Sequence, residues 1–85
     1  MKVQITRTDP TAGIPDSHHP GVISVETFET WELVFDALRA YKVPLTADHE
    51  VVFRAHPDTQ FSRDEFINAG HSAYMCRVHY DVRVV

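Results

Sequence analysis

The stretch HSAYMCRVHYDVRVV, residues 71–85, alternates more strictly than any other part of the chain. Tyr74, Cys76, Val78, Tyr80, Val82 and Val84 fall on one side, and Met75, Arg77, His79, Asp81, Arg83 and Val85 on the other. A period of two with one apolar side marks a strand that is buried on one face and solvated on the other. From Ser72 to Val85, at ~3.4 Å per residue, such a strand would run about 48 Å, longer than a domain of this size is wide. It is expected to bend, fray or project, and a projecting VRVV end with unpaired backbone groups would invite strand addition by another chain.

The apolar side of this strand needs a covering layer, and residues 27–44, TFETWELVFDALRAYKVP, supply it. At helical spacing Phe28, Trp31, Val34, Phe35, Leu38 and Tyr41 form one broad stripe, with Glu29, Glu32 and Asp36 grouped on its flank. Thr27 is the expected N-cap, Arg39 and Lys42 suit the C-terminal end of the helix dipole, and Pro44 stops the helix. Trp31 and Phe35 are the expected core anchors. Opposite them Thr30, Leu33, Ala37 and Ala40 make a narrow line that is either plain helix propensity or a contact stripe for a partner or a second copy, as in a homodimer.

The remaining segments read as shorter elements. KVQITR, residues 2–7, alternates with Val3 and Ile5 on one side, and GVISVE, 21–26, gives a second strand. Residues 8–20 carry too many breakers for a regular element and read as a long, rather rigid loop. HEVVFRAH, 49–56, reads as a third strand, with Val51, Phe53 and Ala55 facing one way and Val52, Arg54 and His56 the other. SRDEFINAG, 62–70, carries the capping-box pattern Ser62 to Glu65 and a closing Gly70, which predicts a short helix. The order predicted is β-β-α-β-short α-β. The expected fold is a single α+β domain over residues 1–85, an antiparallel or mixed sheet of about four strands with one main helix packed on one face.

Composition bounds the function. The 85 residues suffice for one core, and 44% hydrophobic with 24% charged residues is the balance of a folded globule. Cys76 is the one cysteine, so no intramolecular disulfide can form, and a reducing cytoplasm is the expected setting. The alternating N-terminus is no signal peptide, and no run nears the ~20 apolar residues that cross a bilayer, so no membrane partner is expected. Net charge is −4, and Glu26, Glu29, Glu32 and Asp36 follow one another with no base between them. That placement argues against a nonspecific phosphate binder.

Little in the chain looks chemical. Six histidines stand at 18, 19, 49, 56, 71 and 79, two of them in PDSHHPG, residues 15–21. No CxxC, HxxxH or HExxH pattern accompanies them. A metal site could be assembled only through space, from Asp16, His18, His19 and His71, and adjacent histidines poorly share one ion, so neither metal nor cofactor is expected. Cys76 falls on the apolar side of its strand, where a thiol acts as a small hydrophobe. His79 and Asp81 with Arg77 and Arg83 form the minimum kit for phosphodiester cleavage, but the chain lacks the basic excess that such enzymes show.

The expected function is therefore non-catalytic protein binding, of the adaptor or inhibitor type found among small accessory proteins such as those of phages. One candidate surface is the acidic helix flank of Glu29, Glu32 and Asp36 with Leu33, which suits a partner with a basic surface. The other is an exposed sheet face of Arg77, His79 and Arg83, joined by Arg54 if its segment lies adjacent. A nucleic-acid module on that Arg/His face is the alternative, and a small metal-binding or phosphodiester-cleaving protein is the third.

Overall fold

The computed structural model describes residues 1–9, 21–69 and 72–85. Val3 and Ile5 of β1 (Val3–Thr8) lie opposite Val84 and Val82 of β4 (Ser72–Val84), and all four of these positions lie in the pleat that faces the helices. β2 (Val22–Phe28) flanks β1, and β3 (Thr59–Ala69) flanks β4, giving one antiparallel sheet in the order β2-β1-β4-β3. Between β2 and β3 the chain forms α1 (Trp31–Ala40) and α2 (Ala47–Ala55). The expected α+β architecture of four strands with a main helix on one face is the one the chain adopts.

Two elements between residues 47 and 69 differ from the sequence reading. Residues 49–56 are not a strand but the body of α2, and residues 62–69 are not a short helix but the length of β3, so the order is β-β-α-α-β-β. α2 starts because the Thr46 hydroxyl accepts the His49 N–H while His49 Nδ1 accepts the Thr46 N–H, each at 3.2 Å. This is a capping box with histidine in the place usually held by Glu or Gln. β3 forms because Phe61, Arg63, Glu65 and Ile67 alternate toward the helices, opposite Tyr80, Val78, Cys76 and Tyr74. Two charges at inward positions mask that alternation in the sequence.

α1 is also one turn shorter than its stripe. Thr30, not Thr27, is the N-cap, its hydroxyl accepting from Leu33 N–H at 3.2 Å, and Phe28 closes β2 instead of opening the helix. At the other end Lys42 N–H donates to Arg39 C=O and Val43 N–H to Leu38 C=O, with Lys42 in the left-handed region at φ 67°. That is a Schellman stop, and it buries Val43 beside Leu38 at the start of the link to α2.

α1 lies across β1 and β2. Val34, Phe35 and Leu38 from it join Val3, Ile5, Val78, Tyr80 and Val82 from the sheet in the core. Phe35 is the expected anchor, whereas Trp31 is only partly buried and stacks on Phe35 at 5.9 Å. α2 attaches through Phe53, its one buried residue, whose ring meets Phe35 at 6.1 Å and Phe61 at 6.2 Å. Phe61 stacks in turn on Tyr80 at 4.6 Å.

β4 is a central strand. It pairs with β1 from His79 to Val84 and with β3 from Ser72 to Val82, so its far half continues past β1 in a long hairpin with β3. That hairpin accounts for the 40 Å long axis of the molecule. The VRVV end is not free for strand addition, since Val84 opposes Val3 and Val85 N–H donates to Lys2 C=O at 2.9 Å.

Phe53→Ala is expected to cost about 3 to 5 kcal/mol and to detach α2, read as a fall in melting temperature together with loss of amide protection over Ala47–Ala55. Lys42→Gly removes a side chain from a left-handed position and is expected to stabilise by up to about 1 kcal/mol in urea denaturation, with no other change.

Candidate functional site

The hydrogen-bond parity of the sheet decides which backbone groups remain available. Val85 and Lys2 form a bonded pair, and bonded pairs alternate along an antiparallel ladder. His79, Asp81 and Arg83 therefore turn their backbone groups to β1, and Tyr74, Cys76, Val78, Tyr80 and Val82 turn theirs to β3. Their partners Thr59, Phe61, Arg63, Glu65 and Ile67 bond inward. The N–H and C=O groups of Gln60, Ser62, Asp64 and Phe66 consequently point out of the sheet, where no described strand lies.

Beside this outer edge runs a groove of about 580 Å³. Its walls are Val43 and Leu45 from the α1–α2 link, Val52 and Phe53 from α2, and Phe61 from β3, with His49 and Arg63 among the polar lining. Val52 remains 49% exposed although it faces this apolar hollow. The local causes are those already described: the Schellman stop turns the chain toward α2, and the Phe53 contact holds α2 at a distance from β3 that leaves the hollow open.

The floor between the helices and β3 is polar. Arg7 Nη2 donates to Glu65 Oε1 at 2.7 Å, and the Tyr80 hydroxyl donates to Glu65 Oε2. The Arg7 guanidinium lies over the Tyr41 ring at 4.2 Å. Burial opposes the charge of Arg7, but the hydrogen bond to Glu65 and the neighbouring Tyr80 outweigh it, and its pKa is raised. Arg63 Nε stands 3.9 Å from Glu65 Oε2, and its Nη1 is buried without a hydrogen-bond acceptor. Cys76 is buried close by, its thiol pushed up from 9.0 to about 11 by burial first and then by a hydrogen bond with Asp9.

The residues singled out from sequence do not form one surface. Glu29 is exposed ahead of α1. Glu32 is exposed but engaged by Arg54 Nη2 at 2.8 Å, and Asp36 stands 3.9 Å from Arg39. Leu33 is exposed on α1. Arg54 lies on α2, not on the sheet, which corrects its expected place beside Arg77; its guanidinium sits over Phe35 at 5.2 Å. Arg77, His79 and Arg83 do share the open face of the sheet. Arg77 meets Asp64 at 3.4 Å, Arg83 contacts Asp81, and His79 lines a shallow hollow of about 340 Å³ with Thr8, Gln60 and Asp81. Asp16, His18, His19 and His71, with the long loop expected over residues 8–20, lie outside the described residues apart from Thr8 and Asp9. Among the described residues no group of three or more His, Cys, Asp or Glu side chains is placed to hold a metal ion.

Sequence reasoning missed the groove, because it placed α2 and β3 the other way round. One signal was present: Arg7 follows Val3 and Ile5 at the same parity, an inward cation that requires an inward acid such as Glu65.

Burial raises the Tyr80 phenol from 10.0 to about 12, helped by its bond to Glu65. The folded chain thus retains two protons that the unfolded chain releases at lower pH, so their stabilisation is complete below about pH 9 and is lost as pH rises through 9 to 12. Each group contributes at most roughly 2 to 3 kcal/mol. Thermal melts are expected to show a falling midpoint across that window, with Cys76→Ala flattening its lower part; a wild-type midpoint that is level to pH 11 would contradict the burial of both groups. Compared with known protein families, curated proteins and solved structures, the chain matches none.

Proposed function

We propose that this chain is a non-catalytic protein-binding module that accepts an extended segment of a partner as a fifth strand along β3. The observation that carries this reading is the outward row of backbone groups at Gln60, Ser62, Asp64 and Phe66 running beside an apolar groove. Unpaired edge groups offer main-chain hydrogen bonds, which give affinity, and a flanking pocket receives alternate side chains, which gives selectivity. The volume of the groove is in the range that holds one or two large apolar side chains.

Other observations support binding over chemistry. Among the described residues the Cys76 thiol and the Tyr80 phenol, two candidate nucleophiles, are buried and pushed up to about 11 and about 12, which keeps them protonated at neutral pH. On the open sheet face Arg77 and Arg83 each have a carboxylate neighbour in Asp64 and Asp81, which lowers the field available to a phosphate backbone. Glu32 is likewise matched by Arg54, which leaves the acidic flank of α1 weaker than its sequence suggests.

Ser62→Pro tests the reading. The Ser62 N–H points outward, so proline there removes an edge donor without breaking the β3–β4 ladder, a position where sheets tolerate it. Peptides selected on the wild-type protein from a random displayed library are expected to lose more than about tenfold in affinity for Ser62→Pro, while the circular dichroism spectrum is retained. Failure to select any peptide, or selected peptides that bind the variant equally well, would refute strand addition at this edge.

A further inference from the structure

The charge beside the groove narrows what the added strand contains. On the helix-facing side of the sheet Arg7 and Arg63 are two cations, and Glu65 is the carboxylate between them. Its Oε1 accepts from Arg7 and its Oε2 from Tyr80, while Arg63 stands 3.9 Å from Oε2, so two cations share one carboxylate. Asp64 cannot substitute, because it belongs to the opposite face and contacts Arg77. Asp9 is directed to the Cys76 side. Arg63 therefore carries a charge that its surroundings do not balance: it comes no nearer to Glu65 than 3.9 Å, one of its nitrogens is buried without an acceptor, and 27% of its side chain is exposed where it lines the groove.

We propose that the strand accepted by β3 is acidic and apolar in alternation: an extended segment of another protein with Asp or Glu opposite Arg63 and a large apolar side chain two residues away, opposite Phe61. This rests on the strand-addition reading. Arg63 bonds inward to β4, so across the outer edge it forms a non-hydrogen-bonded pair with its new neighbour, the kind in which side chains approach closest. A carboxylate there completes a charge-assisted pair at a guanidinium already partly withdrawn from water. Residues two apart share a face, so the next inward side chain of the same strand enters the hollow of Leu45, Val52, Phe53 and Phe61.

A second copy of this chain is the poorer occupant. A two-fold pairing of two β3 edges centred on Arg63 or Glu65 sets that residue against its own copy; centred on Asp64 it sets Arg63 opposite Glu65 of the copy, but Asp64 then faces Asp64, and that Glu65 already accepts from its own Arg7 and Tyr80. Like charges directly opposite destabilise a strand pair. Inward charges on an edge strand deter indiscriminate pairing, and a carboxylate on the incoming strand turns that deterrent into selection.

The test uses the intact chain and blocked, threonine-rich peptides that carry Glu and Leu two residues apart, with partner peptides in which Glu is replaced by Gln or Lys. Binding is followed by amide shifts of β3 in an NMR titration. The Glu peptide is expected to bind about tenfold more tightly than the Lys peptide, and the difference is expected to vanish in Arg63→Gln, to survive in part in Arg63→Lys, and to shrink at high salt. Equal affinities for the three peptides, or a preference for Glu that persists in Arg63→Gln, would overturn the acidic specificity. If Ser62→Pro still abolishes binding in that case, strand addition stands without it. If no peptide shifts the β3 amides, both readings fail. Sedimentation showing a dimer that Ser62→Pro dissociates would replace the foreign strand with a second copy.

Discussion

One contact, that of Phe53 with Phe35 and Phe61, determines whether this molecule has a groove at all. α2 buries no other residue, and its remaining surface is polar or exposed. Without the Phe53 ring nothing apolar would hold α2 over the sheet, and a nine-residue helix is too short to persist on propensity alone. Aromatic packing continues from that ring in both directions, through Phe35 to Trp31 and through Phe61 to Tyr80 and Tyr41. α1, α2, β3 and β4 are thus held in register by one chain of side chains, and the hollow beside β3 is what that spacing leaves.

The polar floor has a different part. Arg7, Glu65 and Tyr80 come from three strands, and each would be costly to bury alone. Together they pair all but the Nε of Arg7, and they join the β3–β4 hairpin to β1 at a level where backbone pairing alone would not specify which side chains face the helices. Arg63 is the second cation on this one carboxylate, held no nearer than 3.9 Å to Glu65 and with its Nη1 buried and unbonded. The network that secures the edge strand also leaves it charged.

How far the sequence could be read follows from these particulars. The long final strand, the inward face of β1 and the amphipathic stripe of α1 were legible, because burial there coincides with hydrophobicity at a clean period. Between residues 47 and 69 the two diverge. Val51, Val52 and Phe53 have the composition of a strand, yet the Thr46–His49 cap and the distant Phe35 and Phe61 make a helix. Arg63 and Glu65 break the apolar alternation of β3, and Ser62 with Glu65 imitates a helix start, because their partners Arg7 and Tyr80 lie far away in the chain. The groove was illegible for the same reason: it is a product of the two elements whose local signals point the wrong way.

The strand order has a consequence for how the chain acquires this structure. The two central strands are the first and the last in sequence, with Val3 set opposite Val84. The β3–β4 and β1–β2 pairs are antiparallel neighbours that can form early, but the core is not complete until the two meet. Closing a loop of nearly the whole chain length costs entropy before any contact rewards it. During synthesis β1, β2 and α1 precede β4, so the apolar face that α1 shares with β1 lacks its central partner strand until β4 follows. For that interval the apolar surface of the emerging elements is open to aggregation.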